Sequence, residues 1–283
     1  MTQGKAKLSP LQLAELTKAA TDRGFDITPV EEVSWLCCRS TQFPEQVWLT
    51  IADHGYLLST DSRRILDELE REGLNVNELP SMPTKAIGAV RSAEYGELYQ
   101  LLLRVAELAK TSPTSLVEQF TAATKTLPES TEIERLVKER VGQGIFRDAL
   151  IAFWQGRCAV TGLALPALLR ASHIKPWADC ANNEERLDVF NGLLLAPHLD
   201  ALFDGGWITF NDDGNLVRSA LLDAAASQLL GVTKDMKLTH IAAEHRPYLE
   251  YHRQHVFNNG CPQRAEWGVG ECQVSLIKCR VPD

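Results

Sequence analysis

The sequence predicts an α+β chain in two parts: a small N-terminal α+β unit, then a mainly helical unit built around a short strand–loop–strand–helix segment. Three observations lead there. Residues 33–60 hold two β-rich runs, VSWLCC and QVWLTIADHGYLLST, set between stretches of helical periodicity. Residues 111–130 are heavy in Thr, Ser and Pro, the composition of a linker. Residues 156–204 carry one apolar run ending at His173, a second opened by Asn191, and a short helical pattern bearing His198, Asp200 and Asp204. The boundaries expected from these are 1–110, a linker over 111–130, a second unit over 131–258, and a tail over 259–283.

Composition sets the outer limits. A chain of 283 residues, 45% hydrophobic and 23% charged, is that of an ordinary globular protein with a core of its own. Seven cysteines, an odd number with Cys37 and Cys38 adjacent, argue against an ordered disulfide framework. MTQGKAKLSP has no apolar segment behind its lysines, and no run approaches the roughly 18 apolar residues of a membrane span. A reducing cytoplasm is therefore expected. The net charge of −8 is the wrong sign for a protein that coats nucleic acid, but it is unevenly spread. Residues 1–130 hold 13 basic against 18 acidic side chains, whereas Arg135 to Trp177 holds seven basic against two acidic. Phosphate contacts need a local positive potential, not a positive total.

Each element has its own signal. Ser9-Pro10 starts and Gly24 stops a helix over 9–24. The 46–60 run turns at Asp53-His54-Gly55 and so reads as a hairpin, in which His54 is a plain turn residue. An amphipathic helix follows over 61–73, another over 94–110, and a short one near 115–125. Ser130 or Thr131 caps the next, with Glu134 placed for a capping box. IERLVKERVGQGIFRDALIAFW then gives one helix interrupted at Gly142–Gly144, or two, from which Lys138, Arg140 and Arg147 project. LLRASHI is a short strand stopped by Pro176, and 177–190 is a polar, acidic loop. Asn191-Gly192 turns into a second strand, LLL. Pro197 opens the helix PHLDALFD, which ends at Gly205-Gly206. Cys261, Cys272 and Cys279 match no metal-knuckle spacing and read as ordinary thiols.

The chemistry of this last segment follows from its residue types. Histidine is the side chain that is a neutral base near pH 7. An asparagine near it can hold the loop that aims the ring. Asp200 and Asp204, four apart on one helix face, are hard oxygen ligands of the kind that hold Mg²⁺ or Mn²⁺. His198, two residues from Asp200, points elsewhere unless the first turn is irregular. Base, orienting amide and hard ligands together are the equipment for hydrolysing a phosphodiester.

The motifs in order are Cys158-Ala159-Val160-Thr161-Gly162, Ala171 to Trp177, Asn191 to Leu195, and Phe203-Asp204. Together they resemble the HNH (ββα-metal) endonucleases, in the restriction-type branch. Tyr251-His252-Arg253 followed by Val256-Phe257 resembles a closing element downstream of such domains. The likeness covers roughly 131–258. It implies His173 as general base, Asn191 as the residue orienting its loop, and Asp200 at the family's metal-ligand position, aspartate standing where the family has histidine. Asp204 or His198 would complete the ligand set, since Ser172 replaces the acidic ligand common before the base. The structural zinc of some relatives is not encoded, because Cys158 and Cys180 lack Cys-x-x-Cys partners. By the same likeness Arg140, Arg147 and Lys175 would contact DNA. The chain would be a Mg²⁺- or Mn²⁺-dependent DNA endonuclease of restriction or phage defence, a homodimer if both strands are cut. The alternative is an HNH fold without activity that binds DNA or acts as a scaffold.

Overall fold

A computed structural model describes residues 7–32, 34–52, 54–125 and 132–258. Helix α1 (Pro10–Thr21) starts in a capping box, where the Ser9 hydroxyl accepts from the Gln12 amide and the Gln12 side chain accepts from the Ser9 amide. Four strands follow: β1 (Ile27–Glu32), β2 (Trp35–Arg39), β3 (Val47–Ala52) and β4 (Gly55–Thr60). β3 and β4 form the expected hairpin, with Ala52 opposite Gly55. Helix α2 (Arg63–Arg71), the two-residue β5 (Val76–Asn77) and β6 (Gly88–Ser92) complete an antiparallel sheet of order β1-β2-β3-β4-β6-β5. β1, β5 and β6 lack a strong alternating pattern, and the sequence reading did not include them.

The two-residue period of the sheet explains its composition. Leu36, Cys38, Leu49 and Leu58 face the main core beneath α1 and helix α3 (Tyr95–Lys110). Trp35, Cys37, Trp48 and Leu57 face the other way and are covered by Leu79, Met82 and Ala86. Both faces are buried, so the strands read as continuous apolar runs.

Helix α4 (Pro113–Thr124) lies within the Thr/Ser/Pro-rich stretch and packs on helix α5 (Glu132–Phe153) and helix α6 (Asn183–Leu187). α5 is continuous, which corrects the expected interruption at Gly142–Gly144. A glycine inside a helix costs about 1 kcal/mol relative to alanine, too little to break one held by packing. Gly142 is there for space: a Cβ on it would sit 2.3 Å from Cη2 of Trp177. The expected cap at Ser130, Thr131 and Glu134 and the tail cysteines Cys261, Cys272 and Cys279 lie outside the described residues or side chains.

Behind α5 come β7 (Arg170–His173), α6, β8 (Gly192–Leu195) and helix α7 (Pro197–Asp204). β7 and β8 pair antiparallel with His173 opposite Gly192, and α7 packs on β7. This is the strand–loop–strand–helix segment read from the sequence, except that the expected loop over 177–190 contains the short helix α6, capped by Asn182. A second hairpin, β9 (Ile208–Phe210) with β10 (Leu216–Arg218), precedes α8 (Ala224–Leu229) and α9 (His245–His255). One hydrophobic cluster joins Leu16 and Leu102 at one end to Phe153, Leu194 and Leu249 at the other. No helix among the described residues is long and apolar enough to cross a membrane.

Candidate active site

The site is organised around the end of β7. His173 stacks on Phe146 of α5, with ring centroids 3.8 Å apart and planes within 15°. Trp177 meets the imidazole edge-on at 5.5 Å. Two missing side chains make this possible. A Cβ at Gly192 would fall 2.5 Å from Phe146 Cζ, so only glycine opposite His173 lets α5 press its phenyl ring against the strand pair. Gly142 does the same for Trp177.

The imidazole has a defined polarity. Its Nε2 lies 2.8 Å from the Arg186 carbonyl, which can only accept, so Nε2 carries the proton and Nδ1 keeps its lone pair. Burial pushes the ring down to about 4, since the cation would be poorly solvated against Phe146. His173 is thus a neutral acceptor across the physiological range.

Asn191, fully buried, explains why the Arg186 carbonyl stays in place. Its Oδ1 accepts from the Lys175 amide at 2.8 Å. Its Nδ2 donates to the Lys175 carbonyl at 3.3 Å, the Glu185 carbonyl at 3.0 Å and Cys180 Sγ at 3.4 Å. The amide therefore ties the strand end after His173 to the peptide immediately before Arg186. Asn191 does not line the cleft; it positions what does.

α7, which packs on β7, carries the carboxylate pair Asp200 and Asp204. Asp204 lines a concave cleft together with His173, and Asp200 sits one turn back. Ser172, which stands where relatives have an acidic ligand, is buried and donates its hydroxyl hydrogen bond to Asp200 Oδ1. Asp204 keeps its tip at solvent, but the protein wall around it and the Asp200 charge raise its carboxyl to about 6. His198 is exposed, away from the cleft, and the two carboxylates are the side chains of α7 left to hold a metal. Among the described residues no group of three or more His, Cys, Asp or Glu side chains is arranged to hold an ion. Two carboxylates with a nearby hydroxyl nonetheless fit Mg²⁺, which keeps several waters and takes substrate phosphate oxygens to fill its sphere.

The expected basic contacts divide. Arg140 is exposed on α5 and makes no hydrogen bond or ion pair among the described residues. Arg147 lines the cleft, but two of its nitrogens are spent on the carbonyls of Leu169 at 2.6 Å and Pro166 at 2.8 Å. Lys175 is held by Glu185 at 2.7 Å and is not a free arm. His252, named in the sequence only as part of a closing element, lines the cleft floor. It stacks on Phe203 at 3.9 Å, and both its nitrogens are engaged, by Thr209 and by the Phe203 carbonyl. Val256, of the same closing element, also lines the cleft, and the residues that sequence reasoning missed are Gln143 and Phe146, one face of α5. No local signal marks them, because their role comes from where α5 lands.

No curated protein matches the chain. Residues 158–211, from Cys158 through β9, are similar to the HNH endonuclease family, and the matched segment holds His173, Asn191, Asp200 and Asp204.

Proposed function

We propose that the protein is a divalent-metal-dependent endonuclease that hydrolyses DNA phosphodiester bonds, with His173 as general base. The observation that carries this reading is the ring's polarity. A proton on Nε2, fixed by the Arg186 carbonyl, leaves Nδ1 as the acceptor on a cleft shared with a carboxylate and a guanidinium.

In the proposed reaction Nδ1 takes a proton from the attacking water while Nε2–H keeps its bond to Arg186, which stabilises the imidazolium as it forms. Asn191 holds the loop that keeps that carbonyl at the ring. Arg147, clamped at Leu169 and Pro166, presents a cation that does not have to be ordered when the phosphate arrives. Asp204 and Asp200, with Ser172 orienting the second, would hold Mg²⁺ or Mn²⁺. When bound, that ion would neutralise charge developing on the leaving oxygen. His198 takes no part. Arg140 supplies a backbone contact, and Lys175 serves the loop and not the DNA.

A role in restriction or phage defence rests on the likeness to the restriction-type branch. Action in a reducing cytoplasm rests on the odd cysteine count without a disulfide framework, a homodimer on one active site per chain having to cut both strands, and the N-terminal unit (1–110) is assigned specificity, regulation or assembly.

Incubation of supercoiled plasmid with Mg²⁺ or Mn²⁺, beside a His173→Ala variant, tests the reading. Metal-dependent nicking should drop by about 10²-fold or more in the variant, the range set by loss of a general base. Cleavage that survives in His173→Ala would overturn the mechanism. Absence of cleavage of any DNA or RNA would favour the inactive DNA-binding or scaffold alternative.

A further inference from the structure

The cleft is larger than one phosphate and one hydrated ion require. Its volume of about 510 Å³ falls in the range of sites that enclose a small organic ligand. Its lining is chemically mixed. Asp204 and Arg147 are charged, while Trp177 and Pro176 are apolar and Gln143 brings an amide. A hole meant only for phosphate has no use for the apolar and amide groups.

The direction of approach matters too. The imidazole lies flat on Phe146, so one whole face of the base is closed by α5. A helix with its side chains is about 10–12 Å across and stands as a wall beside the reactive edge. His173 also lines the cleft, so a phosphate that meets the ring there brings its attached nucleoside into the same space. Trp177 is half-buried, locked by Gly142 behind it and by Arg186 over one face at 5.7 Å, yet still borders the cleft. Gln143, exposed on α5, has its amide nitrogen on Glu139 and its carbonyl oxygen without a partner among the described residues.

We propose that this cleft accepts one nucleotide withdrawn from the base stack next to the scissile bond, its base against Trp177 and its edge toward Gln143. The substrate class that follows is DNA with an unpaired or weakly stacked nucleotide at the cut, because such a base is the least costly to extrude. α5, which supplies this wall, lies outside the segment 158–211 that matches the HNH family. The proposal rests on the nuclease reading, and its test separates the two.

The test places 2-aminopurine, which brightens when unstacked, at each position flanking the cut in a duplex. Binding is followed with wild type in EDTA and with His173→Ala in Mg²⁺, so that no turnover is needed. A several-fold rise in emission is expected where 2-aminopurine borders or faces the gap left by the withdrawn nucleotide, lost in Trp177→Ala, retained in Trp177→Phe and reduced in Gln143→Ala. In parallel, wild type should cut a duplex with one mismatched nucleotide at least 10-fold faster than its fully paired counterpart. Complex formation by anisotropy with no change of emission at any position would overturn the proposal, as would equal cutting of paired and mismatched duplexes; the nuclease reading would survive both. Failure to bind or cut any DNA would remove both together.

Discussion

Replacing Asn191 separates a residue that positions the base from one that only fills space. Asn191→Ala removes one acceptor and one donor group from a fully buried site. It strands the Lys175 amide and the Glu185 carbonyl, which take Oδ1 at 2.8 Å and Nδ2 at 3.0 Å. Each stranded buried group costs about 1–3 kcal/mol, so the loss in unfolding free energy should be about 2–5 kcal/mol. Asn191→Asp keeps the shape but turns Nδ2 into an oxygen facing two carbonyls and a thiol, all of them electron-rich. At pH 7 it should be the worse variant by about 2 kcal/mol or more. Its folded-state carboxyl is raised by that contact, so its extra destabilisation is full above the folded value and is relieved as pH falls from there to the unfolded one. Denaturant melts at pH 7 and pH 5 read this difference directly, with wild type melted alongside at each pH. The catalytic consequence passes through Arg186. A slack 185–186 peptide lets the imidazole swing, and misplacement by about 1 Å can cost about 10²-fold in kcat. KM should change little, because Asn191 touches no substrate. A folded Asn191→Ala protein with wild-type kcat would refute the reasoning, as would an Asn191→Asp protein as stable as wild type at pH 7.

Three other outcomes are expected. Without metal, Asp204→Asn should raise Tm at pH 7.5, because it removes a charge that burial first, and the Asp200 carboxylate second, disfavour, holding Asp204 up to about 6. Wild type should gain Tm with Mg²⁺ at pH 7.5, less so at pH 5.5, and the variant should gain little; equal responses in thermal melts would count against the carboxylate pair as the metal site. Acid should unfold the protein early, since burial holds His173, His240 and His252 down to about 4 and His245 to about 3. Groups lowered on folding contribute stability above pH 6.5 that is lost as pH falls toward 4. Each loses up to about 2 kcal/mol by pH 5, and a flat Tm between pH 6.5 and 5 would contradict this. Arg140→Ala should lower the slope of log binding constant against log salt by about 1, and Lys175→Ala should leave it unchanged because Glu185 already holds that charge; fluorescence titrations over a salt series compare them.

Local signals made the helices at 10–21, 63–71 and 95–110, the hairpin at 47–60 and the strand–loop–strand–helix segment legible, because each is written in a short window: a cap, a two-residue period, a turn dipeptide. β1, with Pro29 in it, and β5, two residues long, offer no such window. Of the site, the sequence marked His173, Asn191 and the two aspartates, which sit on elements of their own hairpin and helix. It did not show that Asp204 and not Asp200 would border the cleft, since a helix period places both on one face and says nothing of which turn reaches the opening.

The deeper loss is at the two glycines. Gly142 reads as a helix breaker and Gly192 as half of a turn, and both readings are about backbone freedom. In the fold neither needs a left-handed backbone; each is required for the space its missing Cβ leaves, to Trp177 in one case and Phe146 in the other. A sequence records that a side chain is absent without recording what occupies the gap. The aromatic pair that clasps His173 comes from a helix whose ring is 27 positions upstream and from a loop four positions downstream. Only the close approach through those gaps makes them neighbours. It follows that the environment setting the ring's protonation is built partly outside the hairpin that carries it. Variants at Gly142 and Gly192 should therefore disturb His173 while leaving His173, Asn191, Asp200 and Asp204 themselves in place.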